Sequence, residues 1–252
     1  MPRFIAIAVI ILLPCLAAGE ESGFFAIIDW SHWDAILRSH VIDGEVAYAA
    51  IADDGGFATI VSGIATADLE GSSPESLLAF YINAYNVLAV QAILNGRSPS
   101  TNLGKLRFFY RDKYTVAGEK MSLHALEKGR IRSLGEPRIH FAIVCASASC
   151  PQLLAEAYLP HRLDAQLENN TRQFINDPVK NRFDIGNHTA SVSRIFKWFA
   201  EDFEAAAGNV QSFLARYVDD DKVAEALREG KLKLRLLDYD WSLNGSFGAT
   251  KR

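Results

Sequence analysis

Cysteine is scarce in this chain, with three in 252 residues, and methionine is scarcer still, with two. That rules out a small scaffold stapled by several disulfides. Other signatures are missing outright. The sequence has no glycine-rich phosphate loop, no G-x-S-x-G elbow and no His-Glu-x-x-His helix, which removes the sequence grounds for nucleotide, serine-elbow and zinc-protease chemistry. Charge of either sign is in little excess. A formal balance of −4 supplies no long-range pull toward nucleic acid or an anionic surface, so no nucleic-acid partner is expected. No repeat, low-complexity tract or Pro/Gly-rich linker divides the chain. With 49% hydrophobic and 22% charged residues, residues 20–252 read as one globular domain.

What is present begins at the N-terminus. Met1–Arg3 is a short positive start and Phe4–Leu13 an uninterrupted apolar run. Pro14 breaks it, and small residues follow at Ala17, Ala18 and Gly19. This is the pattern of a cleavable secretory signal over residues 1–19. A periplasmic or secreted protein is expected, with no stable membrane anchor after cleavage. Cys15 follows Pro14 rather than a small residue, which argues against lipid attachment.

The remaining pattern is mainly helical. Ser31 and Asp34 resemble a cap pair before Trp33, Ile36 and Leu37, and a second helix is expected around Tyr48–Ala52. Ser73-Pro74-Glu75 opens the longest helix, which runs to Asn95 before Gly96 stops it. It is apolar on nearly every side, hence central and buried, and Asn83, Asn86 and Gln91 within it argue against a membrane span. Tyr114–Val116 and Lys120-Met121 flank a hairpin turn, and Ser122–Arg132 should be helical. Ile139–Val144 reads as a buried strand, followed by helices over Pro151–Ala157 and Leu163–Asn176. Ala190–Val192 is a further strand, before a helix capped by Ser193 that holds Phe196, Trp198, Phe199 and Phe203. Lys231–Leu236 alternates like an edge strand. The class is α+β, mostly helical with a small central antiparallel sheet.

The chemistry concentrates in Arg138-Ile-His-Phe-Ala-Ile-Val-Cys-Ala-Ser-Ala-Ser-Cys-Pro151. A helix N-terminus stabilises a thiolate through its free N–H groups and dipole. On the expected layout Cys150 holds that place and is the favoured nucleophile, with Cys145 at the end of the strand as the alternative. His140 is the candidate base, set against the reading of a satisfied core histidine. Asn83 and Asn86 share a helix face; they either orient the histidine and an oxyanion or tie the central helix to neighbouring loops. Tyr81 belongs to the same polar-edged core. Arg132 and Arg138 could grip a substrate carboxylate or form ordinary ion pairs. His124 and His161 read as surface residues, and Asp53-Asp54 and Glu201-Asp202 as solvated faces or turns. Neither a metal centre nor a cofactor is expected.

Several segments, taken together and in order, also resemble a known family. They are Phe80-Tyr-Ile-Asn-Ala-Tyr-Asn86, Ser122-Leu-x-x-x-Glu127 with Arg132, Pro137-Arg-Ile-His-Phe-Ala142, Cys145-x-Ser-x-Ser-Cys-Pro151 and Tyr239-Asp-Trp-Ser-Leu-Asn244. In these the chain looks like the DUF547 family from about Trp30 to Asn244. Lys128 departs from its pattern, where histidine is usual. The resemblance implies a papain-like or transglutaminase-like fold of cysteine hydrolases. Two function classes follow. One is a cysteine-dependent hydrolase or transferase acting on an amide or thioester of a small-molecule or peptide substrate. The other is a non-catalytic exported binding domain in which Cys145 and Cys150 form a structural disulfide.

Overall fold

The computed structural model describes residues 28–248. The expected signal over residues 1–19, with Cys15, lies outside the described residues. The chain opens with α1 (Ser31–His40), the short strands β1 (Val41–Ile42) and β2 (Glu45–Ala47), α2 (Tyr48–Ala52) and α3 (Phe57–Thr66). Ser31 is the first residue of α1 rather than its cap; Trp30 holds the cap position without a side-chain bond, and the Asp29 carboxylate accepts the Ser31 N–H at 2.8 Å. Asp34 instead accepts from the Ala157 backbone at 2.9 Å.

The longest helix, α4 (Pro74–Leu94), has the ends the sequence specifies. Ser73 accepts from the Ser76 N–H, and Pro74 sits at the first helical position, where a missing N–H costs nothing. At the other end Gly96 takes φ +72°. The Gly96 and Arg97 N–H groups close back on Ile93 and Ala92, a paired C-terminal cap that needs the left-handed conformation glycine allows. The helix is long and apolar enough to cross a membrane by composition, yet 83% of its most apolar window is buried inside the protein. It is the core helix.

After α5 (Asn102–Lys105) and a π-helical stretch, Leu106–Arg111, comes the hairpin β3 (Tyr114–Val116) and β4 (Glu119–Met121). Ala117 and Gly118 both have positive φ, the turn whose twist matches the strands. Next, α6 (Leu123–Leu126) runs into a π-helical Glu127–Ile131 and a 3-10 turn, Arg132–Leu134. Then α7 (Leu163–Asn176), β5 (Arg182–Asp184), β6 (Thr189–Val192), α8 (Ile195–Trp198), α9 (Ala200–Ala207), α10 (Val210–Tyr217), α11 (Asp221–Arg228), β7 (Lys233–Leu236) and β8 (Gly245–Ser246) complete it. The mainly helical α+β class holds. Among the described residues its strands form three small sheets rather than one: β1-β2-β8, β3-β4 and β5-β6-β7, with β2·β8 and β6·β7 parallel.

Three expected elements are different. Ile139–Val144 is not a strand, because Pro137–Phe141 winds as a 3-10 helix. Pro137 presets its first turn, and the Glu136 carboxylate caps it by accepting the Arg138 N–H at 2.9 Å. A short apolar run is buried equally well in either conformation, so periodicity could not separate them. The segment beginning at Pro151 is likewise irregular rather than helical. The buried side chains of Leu153, Ala157 and Tyr158 anchor it through packing instead. The expected helix across Phe196–Phe203 is broken at Phe199, whose φ −119° and ψ 27° separate α8 from α9.

Two apolar clusters make up the interior. One surrounds α4, and the other gathers Phe174, Phe196, Phe203 and Phe213. The 3-10 segment lies between them, with Ile139 and Ala142 in the first and Phe141 in the second. His140 therefore sits on the seam.

Candidate active site

Five backbone steps separate His140 from Cys145, and one buried amide of α4, that of Asn86, fixes the chain between them. Asn86 Nδ2 donates to the Ala142 carbonyl at 3.0 Å, and its Oδ1 accepts the Val144 N–H at 2.9 Å. Asn83, one turn earlier, does the same for Tyr158, donating to its carbonyl at 2.7 Å and accepting its N–H at 3.0 Å. Both amides are almost fully buried, and both spend their polar atoms on backbone. They hold the site from behind and do not line it. Tyr81 is also buried behind it, packed edge-on to Phe80.

The Cys145–Cys150 loop is held from its other side by the C-terminal tail. The Ala148 N–H donates to the Ser242 carbonyl at 2.7 Å, Ser149 N–H to Asp240 at 3.1 Å, and Asn244 N–H to Ala146 at 3.1 Å. Ala146, immediately after Cys145, has φ +59°, a strained value for a residue with a Cβ. The tail brings Tyr239 and Trp241 to the loop. The Cys145 sulfur lies 3.1 Å from Ser147 Oγ, 3.4 Å from the Tyr239 hydroxyl and 2.8 Å from the Cys150 sulfur.

Burial by itself would push the Cys145 thiol up. Hydrogen bonding from Cys150, Ser147 and Tyr239 outweighs it and brings the thiol down to about 7. Cys150 moves the other way, raised well above an ordinary thiol by its burial and by Cys145 beside it. The helix-terminus argument for Cys150 thus has no helix behind it, and Cys145 is the thiol disposed to ionise.

His140 is buried, its ring stacked on Phe199 at 3.8 Å and met edge-on by Phe203 at 5.5 Å. Its Nε2 lies 2.7 Å from an Asp202 carboxylate oxygen. Arg132 grips the same carboxylate with two N–H groups at 2.8 and 2.9 Å. The His140 hydrogen bond and the Arg132 pair hold Asp202 well below the usual carboxylate range against the opposing effect of burial. A carboxylate so held must receive a proton from Nε2, which leaves the lone pair on Nδ1 of the neutral ring. Burial lowers the imidazole's proton affinity despite Asp202, so that neutral form prevails. Nδ1 is buried and has no hydrogen-bond partner among the described residues.

A cavity of about 470 Å³ joins these groups. His140, Cys145 and Cys150 lie on its wall with Glu127 and Arg132. Its aromatic side is formed by Phe109, Tyr110, Trp198, Phe199, Tyr239 and Trp241. Trp198, Tyr239 and Trp241 pack on one another with ring centres 4.6–5.7 Å apart. Both π-helical stretches face this cavity, contributing Phe109, Tyr110 and Glu127; such widened turns recur at functional sites. Burial pushes the Glu127 carboxyl up to about 7, and among the described residues it forms no hydrogen bond or ion pair.

Arg138 lies elsewhere. Glu136 and Asp164 occupy its guanidinium at 2.7–2.9 Å, on the wall of a second cavity. His124 is on the Cys145 cavity, its ring tilted against that of Tyr110 with centres 4.6 Å apart, rather than a bystander on the surface. The largest omission in the sequence reading is Asp202, taken there for part of a solvated pair. Its only local signal is position: it follows Phe199 by three and precedes Phe203, the two rings that enclose His140. No group of three or more His, Cys, Asp or Glu side chains among the described residues is arranged to hold a metal.

Residues 69–175 match the family model of DUF547, described as a protein of unknown function. No curated protein and no solved structure matches the chain. The match therefore brings no activity and no relation to papain-like hydrolases with it.

Proposed function

We propose that this chain, a member of the DUF547 family, is an exported cysteine-dependent hydrolase or transferase acting on an amide or thioester. Cys145 is the nucleophile, His140 the base and Asp202 the residue that sets the histidine's tautomer. One observation carries the reading: the Nε2 of His140 is committed to Asp202, its Nδ1 has no partner among the described residues, and His140 lines the same cavity as a thiol near neutrality. In the reaction, His140 Nδ1 takes the Cys145 proton and the sulfur attacks the acyl carbon. The leaving amine or thiol departs with that proton, and a thioester remains on Cys145. Water or a second nucleophile, deprotonated by Nδ1, then releases the acyl group. The aromatic wall supplies an apolar seat for a small-molecule or peptide acyl donor. Export rests on the signal pattern of residues 1–19, and N-terminal sequencing of the exported protein should begin between Ala18 and Glu21.

The test is incubation with a panel of thioester and activated amide donors, followed by intact and peptide mass spectrometry. An acyl group on Cys145, absent from His140→Ala, is the expected result. A second reading, a binding domain clamped by a Cys145–Cys150 disulfide, is supported by the 2.8 Å approach of the sulfurs. It prevails if no donor acylates Cys145 and native protein carries a disulfide that mild reductant leaves intact.

A further inference from the structure

Cys150 has no task in the acyl chemistry, yet its sulfur is held 2.8 Å from that of Cys145. The Cys145 backbone N–H donates to it at 2.9 Å, and the Cys150 N–H closes a turn on Ser147. The two thiols also differ in access. Cys145 is partly exposed, whereas Cys150 is 6% exposed. An oxidant entering the cavity meets Cys145 with Cys150 immediately behind it. Backbone hydrogen bonds from the Ala148 and Ser149 N–H groups to the tail, and from the Asn244 N–H to the Ala146 carbonyl, pin the loop that joins the two thiols.

We infer that Cys145 is a site of oxidation by hydroperoxides and that Cys150 is its resolving thiol, so that the pair passes reversibly between dithiol and disulfide. The Cys145 thiolate attacks the outer oxygen of the hydroperoxide. The O–O bond breaks, and the departing oxide takes a proton to leave as water or an alcohol. Cys145 is oxidised to a sulfenic acid by two electrons, and the hydroperoxide is reduced by the same two. The Cys150 sulfur then attacks the Cys145 sulfur. The S–S bond forms, the S–O bond breaks, and hydroxide leaves as water with the Cys150 proton. An external dithiol restores both thiols by exchange. Without Cys150, the sulfenic acid would advance to the sulfinic and sulfonic acids, which dithiols do not reverse. The disulfide thus blocks the nucleophile while keeping it recoverable in an oxidising compartment.

The inference rests on Cys145 being the reactive thiol of the proposed function, not on its acyl chemistry. Reduced, desalted full-length protein is treated with stoichiometric hydrogen peroxide and mapped by mass spectrometry. Wild type should lose two hydrogens as a Cys145–Cys150 disulfide and regain both thiols with dithiothreitol. Cys150→Ala should instead accumulate Cys145 sulfinic acid that dithiothreitol leaves untouched, and Cys145→Ser should keep Cys150 as a thiol. Wild type that accumulates sulfinic acid on Cys145 in place of the disulfide overturns the inference, whether or not Cys150→Ala folds. Alkylation of reduced wild type by iodoacetamide separates the two ideas. Cys145 that alkylates but forms no disulfide leaves the active-site reading standing, whereas Cys145 inert to both reagents removes both.

Discussion

His140 Nε2 lies 2.7 Å from the Asp202 carboxylate across 62 residues of sequence, and Arg132 holds that carboxylate from its other side. The pairing assigns the tautomer: proton on Nε2, lone pair on Nδ1. Asp202→Asn keeps the shape but offers the ring an amide that can face it with either its oxygen or its N–H. Loss of a positioned base costs about 10²–10⁴-fold. The same loss is therefore expected in the rate at which thioester and activated amide donors acylate Cys145 at neutral pH, with a melting temperature still consistent with a folded protein. An acylation rate equal to wild type would remove Asp202 from the site.

The Cys145 thiol has a pH signature of its own. Because hydrogen bonding lowers its pKa to about 7, its rate of alkylation should rise to a plateau through that value, below the ~8.5 of a free cysteine. Tyr239→Phe removes one of the three groups responsible and should move the midpoint upward. The measurement is a pH series of iodoacetamide rates on wild type and variant. Coincident midpoints would show that the Tyr239 hydroxyl contributes nothing.

Tail and loop are one unit in this fold. A Cβ added at Gly245 would lie 2.1 Å from the Val46 carbonyl oxygen, so Gly245→Ala cannot keep β8 paired with β2 as it stands. Relieving an overpacked contact costs typically about 1–3 kcal/mol. Since the adjoining residues carry Tyr239 and clamp the Cys145 loop, thermal stability and thiol reactivity should fall together. A variant that melts early but retains full reactivity would uncouple the tail from the site.

The elements that local rules specify were legible in the sequence. Ser73-Pro74 and Gly96 bound α4, and Ala117-Gly118 marks the hairpin; in each case the backbone conformation is set by residues a few positions away. The segments around the thiols were not. Ile139–Val144 and the stretch from Pro151 are apolar enough to be buried, but their conformation is decided by Asn86, Asn83 and the tail, all distant in sequence. The site residues divide the same way. His140, Cys145 and Cys150 announce themselves by rarity and proximity, though the sequence favours Cys150 of the two thiols. Asp202 is one of 30 acidic residues, and only the break at Phe199 turns it toward the histidine.

Asn86 is the clearest case of structure acting on the site without touching it. Its two polar atoms serve the Ala142 carbonyl and the Val144 N–H, on the stretch joining His140 to Cys145. Asn86→Ala leaves both backbone groups buried and unpaired, at about 1–3 kcal/mol each. Chemical denaturation should therefore show a loss of several kcal/mol, and residual folded protein should alkylate Cys145 more slowly. Unchanged stability would mean that the loop does not depend on α4.

Glu127 makes the stability of the whole molecule depend on pH in an unusual direction. Burial pushes its carboxyl up to about 7, whereas the unfolded chain titrates near 4.3. The folded state therefore holds this proton more tightly than the unfolded state. Its stabilising effect is complete below about pH 4 and is lost as the pH rises through about 7. The full shift corresponds to about 4 kcal/mol, and partial solvent access to the cavity reduces it to about 1–3. Glu127→Gln keeps the shape and cannot ionise, so it should melt higher than wild type at pH 8 and close to it near pH 4. The low pKa of Asp202 acts in the opposite sense at the acid end, and the shifted Cys145 and His140 are common to both proteins, so the Glu127 contribution is the difference between variant and wild type. Melting curves for both proteins at a series of pH values read the effect directly. Parallel pH dependences would place the Glu127 carboxyl in contact with water.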